Sequence, residues 1–145
     1  MPLPPSSESS NKLDLRVVLG VSLSQFAPWF ATVLAVTWAG YPGVVCVTPL
    51  AWLIALRVGI VCVKRSTSSE KGRRLQEAAL AGACFGLLQG LLFWVIVPLM
   101  GPVKASEQTS AAIIILLILI VGMWVGAGFS LFTAYQFEQR RQSAS

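Results

Sequence analysis

The sequence predicts an all-α polytopic membrane protein, a four-transmembrane-helix bundle built from two antiparallel hairpins with both termini on the cytoplasmic side. Three observations carry this. First, of 145 residues 55% are hydrophobic and only 12% charged, whereas charged residues make up roughly a quarter of a soluble domain. Second, four apolar runs each approach the about 20 residues that a spanning helix needs. Third, Lys12, Arg16, Lys64, Arg65, Lys71, Arg73, Arg74, Arg140 and Arg141 flank the runs on one side, against Lys104 alone on the other. By the bias of Lys and Arg toward cytoplasmic loops, this sets an N-in/C-in orientation in the cell membrane.

Taken in order, residues 1–14 form a disordered cytoplasmic tail, because Met1 to Asn11 are rich in Pro and Ser and lack apolar periodicity. A single transmembrane domain follows over 15–135, with spans at about 15–38, 44–63, 78–100 and 111–135. The first run is too long for the apolar core of a signal peptide, so it is read as a retained span. Trp29 lies in its outer half, Trp38 and Tyr41 mark the outer interface, and Pro28 bends it. Gly40-Tyr41-Pro42-Gly43 is a short turn that returns the chain as an antiparallel neighbour. The second span contains Pro49 and Arg57, the one charged residue within any span.

A basic cytoplasmic loop covers 64–77. Thr67-Ser68-Ser69-Glu70 has the spacing of a capping box, Gly72 counts against it, and the third helix is expected to begin near Arg73. Pro98 and Gly101-Pro102 end the third span, Ser106 is the N-cap candidate of the fourth helix, and 136–145 is a polar cytoplasmic tail.

Small residues recur every fourth position on the last two helices: Ala78, Gly82, Gly86 and Gly90, then Gly122, Gly126, Ser130 and Ala134. In lipid, apolar helices gain nothing hydrophobic by pairing, so close backbone approach at small residues supplies the attraction. A turn centred near Ser106 places residues at equal depth when their numbers sum to about 212, which pairs Gly90 with Gly122, Gly86 with Gly126, Gly82 with Ser130 and Ala78 with Ala134. The two helices should then touch backbone to backbone in the cytoplasmic half and diverge at Phe93, Trp94 and the Ile113 to Ile120 run. Homodimerisation is the other use of such a stripe. Ala51, Ala55 and Gly59 form a weaker one on the second helix.

The intramembrane polar residues are Gln25, Arg57 and Gln89. Gln25 and Gln89 fall near the middle of their spans, where an interhelical hydrogen bond between them would satisfy both. A polar pathway with Ser22 and Arg57 is the alternative. Arg57 lies about 5 Å to the cytoplasmic side of the midplane. Its stem lets it snorkel toward the headgroups or reach Asp14 or Glu77; alternatively it faces the interior and holds an anion.

No His occurs in the chain. No span contains Asp or Glu, so neither a catalytic centre nor a cofactor or metal site is expected. Cys46, Cys62 and Cys84 read as small hydrophobes. The bilayer is the first partner, with anionic lipids attracted to Lys64, Arg65, Lys71, Arg73 and Arg74. Nucleic acid is not expected, since that cluster has no aromatic residue for stacking. The chain is similar in size and helix number to proton-coupled small multidrug transporters, but its first span lacks the membrane-embedded Glu on which that family depends. What remains is a small integral membrane protein acting as a non-catalytic subunit, assembly factor or scaffold, through self-association or contact with another membrane protein. The alternative is a small oligomeric transporter or channel for an anionic solute using Arg57.

Overall fold

The computed structural model describes residues 13–39, 43–99 and 108–143. The expectations for the N-terminal tail through Asn11, the turn residues Gly40 to Pro42, the Gly101-Pro102 pair and the Ser106 cap lie outside these residues. Four helices occur in the described chain: α1 (Leu15–Trp38), α2 (Gly43–Arg65), α3 (Lys71–Leu99) and α4 (Gln108–Ser143). By length and composition, three of them, α1, α3 and α4, are apolar enough to cross a membrane.

Asp14 caps α1, its Oδ1 accepting the backbone N–H groups of Arg16 at 3.1 Å and Val17 at 3.3 Å. Both α1 and α2 continue through their internal prolines, Pro28 and Pro49. The loop after α2 is shorter than the expected 64–77, because α2 reaches Arg65 and α3 starts at Lys71, directly after the Thr67 to Glu70 stretch. No capping box closes there; instead Ser68 Oγ accepts the Glu70 N–H at 3.3 Å. The fourth helix also exceeds its expected end. Residues 136–143 extend α4 by about two turns rather than forming a polar tail, and Glu138 and Gln142 there have partners in the first turns of α3, Arg74 and Lys71.

Residue pairs give the packing. Asp14 meets Glu77 and Ser22 meets Ala81, so α1 and α3 run parallel. Leu56 meets Thr133 and Trp52 meets Phe129, so α2 and α4 also run parallel. Helices α1 and α4 lie on opposite flanks of the α2/α3 pair and do not touch each other among the described residues. The main core, with Val18, Val21, Val58, Cys62, Ala81, Phe85 and Ala134, joins all four helices. A smaller cluster of Trp29, Val33 and Ala51 continues it toward the end away from the basic loop.

The contact between α3 and α4 is made of backbone. A Cβ added at Gly86 would overlap the Gly122 carbonyl oxygen, and one at Gly82 would overlap that of Gly126. Gly86 and Gly126 are both buried. The pairing straddles the expected register and the one a turn away: Gly86 lies closest to Gly122 and also contacts Gly126, Gly82 lies between Gly126 and Ser130, and Gly90 lies against Leu119 rather than Gly122. Ala78 receives a hydrogen bond from Ser130 Oγ at 2.6 Å, and Ala134 is buried one turn further along α4. The divergence expected at Phe93 and Trp94 concerns side chains outside the described set.

Gly59 extends the same mode of contact to a third helix, for a Cβ there would overlap the Ser130 carbonyl oxygen of α4. Gly128, by contrast, has nothing within 4 Å. Replacing Gly86 by Val should therefore destabilise the protein by about 1–3 kcal/mol through overpacking, whereas Gly128→Val should stay within about 1 kcal/mol of the parent, the helix-propensity scale. Unfolding by SDS titration in mixed micelles measures both, and equal losses would count against the backbone seam.

Candidate functional site

Two features are candidate sites: a network of polar side chains at the basic-loop end of the bundle, and a cavity among α2, α3 and α4. The first is built on Glu77 and Arg74, which stand three residues apart on α3 and so share one side of it. Glu77 is buried and accepts the Asp14 N–H at 3.2 Å and a short hydrogen bond from the Ser66 hydroxyl, tying the start of α1 to the end of α2. Arg74 forms a bidentate pair with Glu138, Nε to Oε1 at 2.7 Å and Nη2 to Oε2 at 3.1 Å. Its Nη1 also donates to the carbonyls of Ser68 and Ser69 at 2.9 and 3.2 Å. The fork geometry of guanidinium suits this double task.

These contacts alter the account of the basic cluster. Arg74 is occupied by Glu138 and the loop carbonyls, so it is not available to lipid headgroups as expected from sequence. Lys71 lies over the Tyr135 ring at 5.4 Å and contacts Gln142, and Arg73 sits 3.9 Å from Glu70. Lys64 stands over the Phe137 ring at 5.5 Å, and both Lys64 and Arg65 are exposed.

Further along the bundle, three hydroxyls connect helices by donating to backbone carbonyls. Ser22 Oγ donates to Ala81 O at 2.9 Å, Ser130 Oγ to Ala78 O and Thr133 Oγ1 to Leu56 O at 2.8 Å. The sequence pointed to Gln25 and Gln89 for interhelical bonding instead. That bond does not form. Gln89 lines the cavity among α2, α3 and α4, to which α1 contributes no described residue. Neither side chain hydrogen-bonds to another described residue.

Arg57 is also placed differently from one of its two readings. It does not face the bundle interior: it is exposed on α2 and forms no hydrogen bond or ion pair with a described residue, Asp14 and Glu77 included. Ala55 and Val58, at other positions around the same turn, are the residues turned to the core. The Gln25, Gln89, Ser22 and Arg57 pathway is therefore not assembled by this arrangement.

The cavity has a volume of about 390 Å³. Its walls are small or apolar: Ala51, Trp52 and Ala55 from α2, Phe85, Gly86 and Gly90 from α3, and the Leu117 to Gly126 side of α4. Among the described lining residues, Gln89 supplies the one hydrogen-bonding side chain apart from the Trp52 indole N–H. No protein-family model, curated protein or solved structure matches this chain.

The ion pair at the loop yields a direct test. Glu138 is 2% exposed, so removing Arg74 would leave a buried carboxylate without its cation. Arg74→Ala should cost about 3–5 kcal/mol, and the Arg74→Ala/Glu138→Ala double variant less than the sum of the two single losses. Denaturation midpoints of the three variants measure the coupling; additive losses would show that the pair does not act as a unit.

Proposed function

We propose that this chain is a small integral membrane protein of four spans, with both termini cytoplasmic in the cell membrane, that works without catalysis as a subunit, assembly factor or scaffold of a membrane complex. Its action is lateral: helix faces left open by its own fold meet another membrane protein or a further copy of itself. The observation that carries this reading is Arg57, an ionisable residue in an apolar run that points out of the bundle and has no partner among the described residues. In hydrocarbon such a residue is costly and ordinarily pairs with an opposite charge or backbone carbonyls. An acidic or carbonyl-rich site on a neighbouring protein would satisfy it.

The apolar outer surface of the bundle supports the same reading. Leu53, one turn from Arg57, is 62% exposed, and Trp124 on α4 is 76% exposed. Exposed apolar residues are ordinary on a lipid-facing helix, so they set where contact is allowed rather than what makes it. Arg57 supplies the specificity. The second reading, an oligomeric transporter or channel for an anionic solute, uses the same residue, but an outward Arg57 would line a pathway only where protomers meet.

Native mass measurement of the full chain in nanodiscs, with and without Arg57→Leu, tests the proposal. A stoichiometric membrane-protein partner that is lost in Arg57→Leu, with the thermal stability of the isolated chain unchanged, is the expected result. A homo-oligomer whose Arg57-dependent anion flux appears in liposomes would transfer the case to transport. Cysteines introduced at Ser145 and Lys104 report orientation: the first should react only from the cytoplasmic side and the second only from the opposite side.

A further inference from the structure

We infer that the cavity among α2, α3 and α4 binds a neutral membrane lipid, one apolar chain or ring system whose hydroxyl or carbonyl oxygen hydrogen-bonds to Gln89. Three observations lead there. The volume of about 390 Å³ falls in the range of about 300–1,000 Å³ that small-molecule sites occupy, and no charged side chain is among its described lining residues. Charged headgroups have no counterpart there.

The second observation is the route in. Toward the basic loop the cavity is closed where α4 meets α2, with Gly59 against Ser130 and Thr133 bonded to Leu56. Away from that closure its edge is formed by Trp52, Leu117 and Val121, which are 53%, 55% and 55% exposed. Among the described residues the cavity is thus open sideways, through the apolar surface of the bundle, to a ligand dissolved in the bilayer.

The third is Gln89. The Ser and Thr hydroxyls of this bundle satisfy themselves on carbonyls, but the Gln89 carboxamide has no hydrogen bond to any described residue and lines an otherwise apolar wall. In hydrocarbon an amide without partners costs several kcal/mol. A plain acyl chain would fill the space and leave that cost in place. A lipid with an oxygen at the same depth removes it, accepting from the amide NH₂ or, through a hydroxyl, donating to the amide oxygen. Gln89 stands near the middle of the third apolar run, well below the level of phospholipid esters, so the ligand is one whose polar group can enter the membrane interior.

The test uses the purified full chain in phosphatidylcholine nanodiscs, photolabelled with a long-chain fatty alcohol carrying a diazirine in its chain. An alkane diazirine of equal length serves as the comparison, and adducts are mapped by peptide mass spectrometry. The alcohol should label Trp52, Leu117 and Val121 in preference to Leu53, Trp124 and Phe132. Gln89→Leu, which removes no bond within the described protein and keeps its fold, should lower alcohol labelling at the cavity by about tenfold, the equivalent of one hydrogen bond, and leave alkane labelling unchanged. Val121→Phe, changed from its exposed side, should lower both. Alcohol labelling spread evenly over cavity and outer residues, or indifferent to Gln89→Leu, would overturn the assignment, as would a cross-linked second copy occupying the cavity in place of lipid. Because no partner protein is present, failure here is separate from failure of the subunit reading.

Discussion

The backbone contact between α3 and α4 is the constraint on which the remaining helices depend. Lipid chains are as apolar as leucine, so two helices in a bilayer associate through close packing and weak Cα–H···O contacts rather than through expulsion of water. Gly82, Gly86, Gly122 and Gly126 bring no side chain to the centre of the seam, and their carbonyls occupy the space where Cβ atoms would otherwise be. Once that pair is fixed, α2 joins it through Gly59 against the Ser130 backbone, and α1 joins α3 through Ser22 and Ala81. Helices α2 and α3 thus form the centre, each in contact with the other three.

Polar groups follow the same economy of space. A Ser or Thr in a helix can return its proton to a carbonyl one turn back, so it is never wholly unsatisfied: Ser22 contacts Val18 O at 2.8 Å and Thr133 contacts Phe129 O at 3.0 Å. When a neighbouring helix comes close, the same hydroxyl serves as a bridge. Gln has no such local refuge, since its amide stands too far from its own backbone. This separates Gln89 from the hydroxyls around it. The difference is one of chemistry rather than of burial.

Much of this architecture is legible in the chain. The stripe of small residues at every fourth position identifies the α3/α4 seam, but counting back from a turn at Ser106 does not resolve which glycine carbonyl fits against which backbone, and the tightest approaches fall at Gly86–Gly122 and Gly82–Gly126. The ion pair at the loop escapes that reading although a signal for it exists. Continued by one step, the α3 series reaches Arg74 and the α4 series reaches Glu138, opposite charges at matching ends of both stripes. Treating 136–145 as a tail hides it. The outward position of Arg57 and the separation of the two glutamines depend on how each helix is rotated about its axis. Uniformly apolar runs carry almost no record of that, since both lipid and core accept the same residues.

The Arg74–Glu138 pair also imposes an order on biogenesis. Its partners are 64 residues apart in the chain, so the loop after α2 leaves the ribosome long before its anchoring carboxylate exists. Until α4 has been made, the guanidinium has only the loop carbonyls and water to satisfy it, and the glycine face of α3 has no helix against it. An incomplete chain would thus carry a recognisable mark, an unmatched arginine beside an open glycine face, by which membrane quality control could tell it from the finished protein.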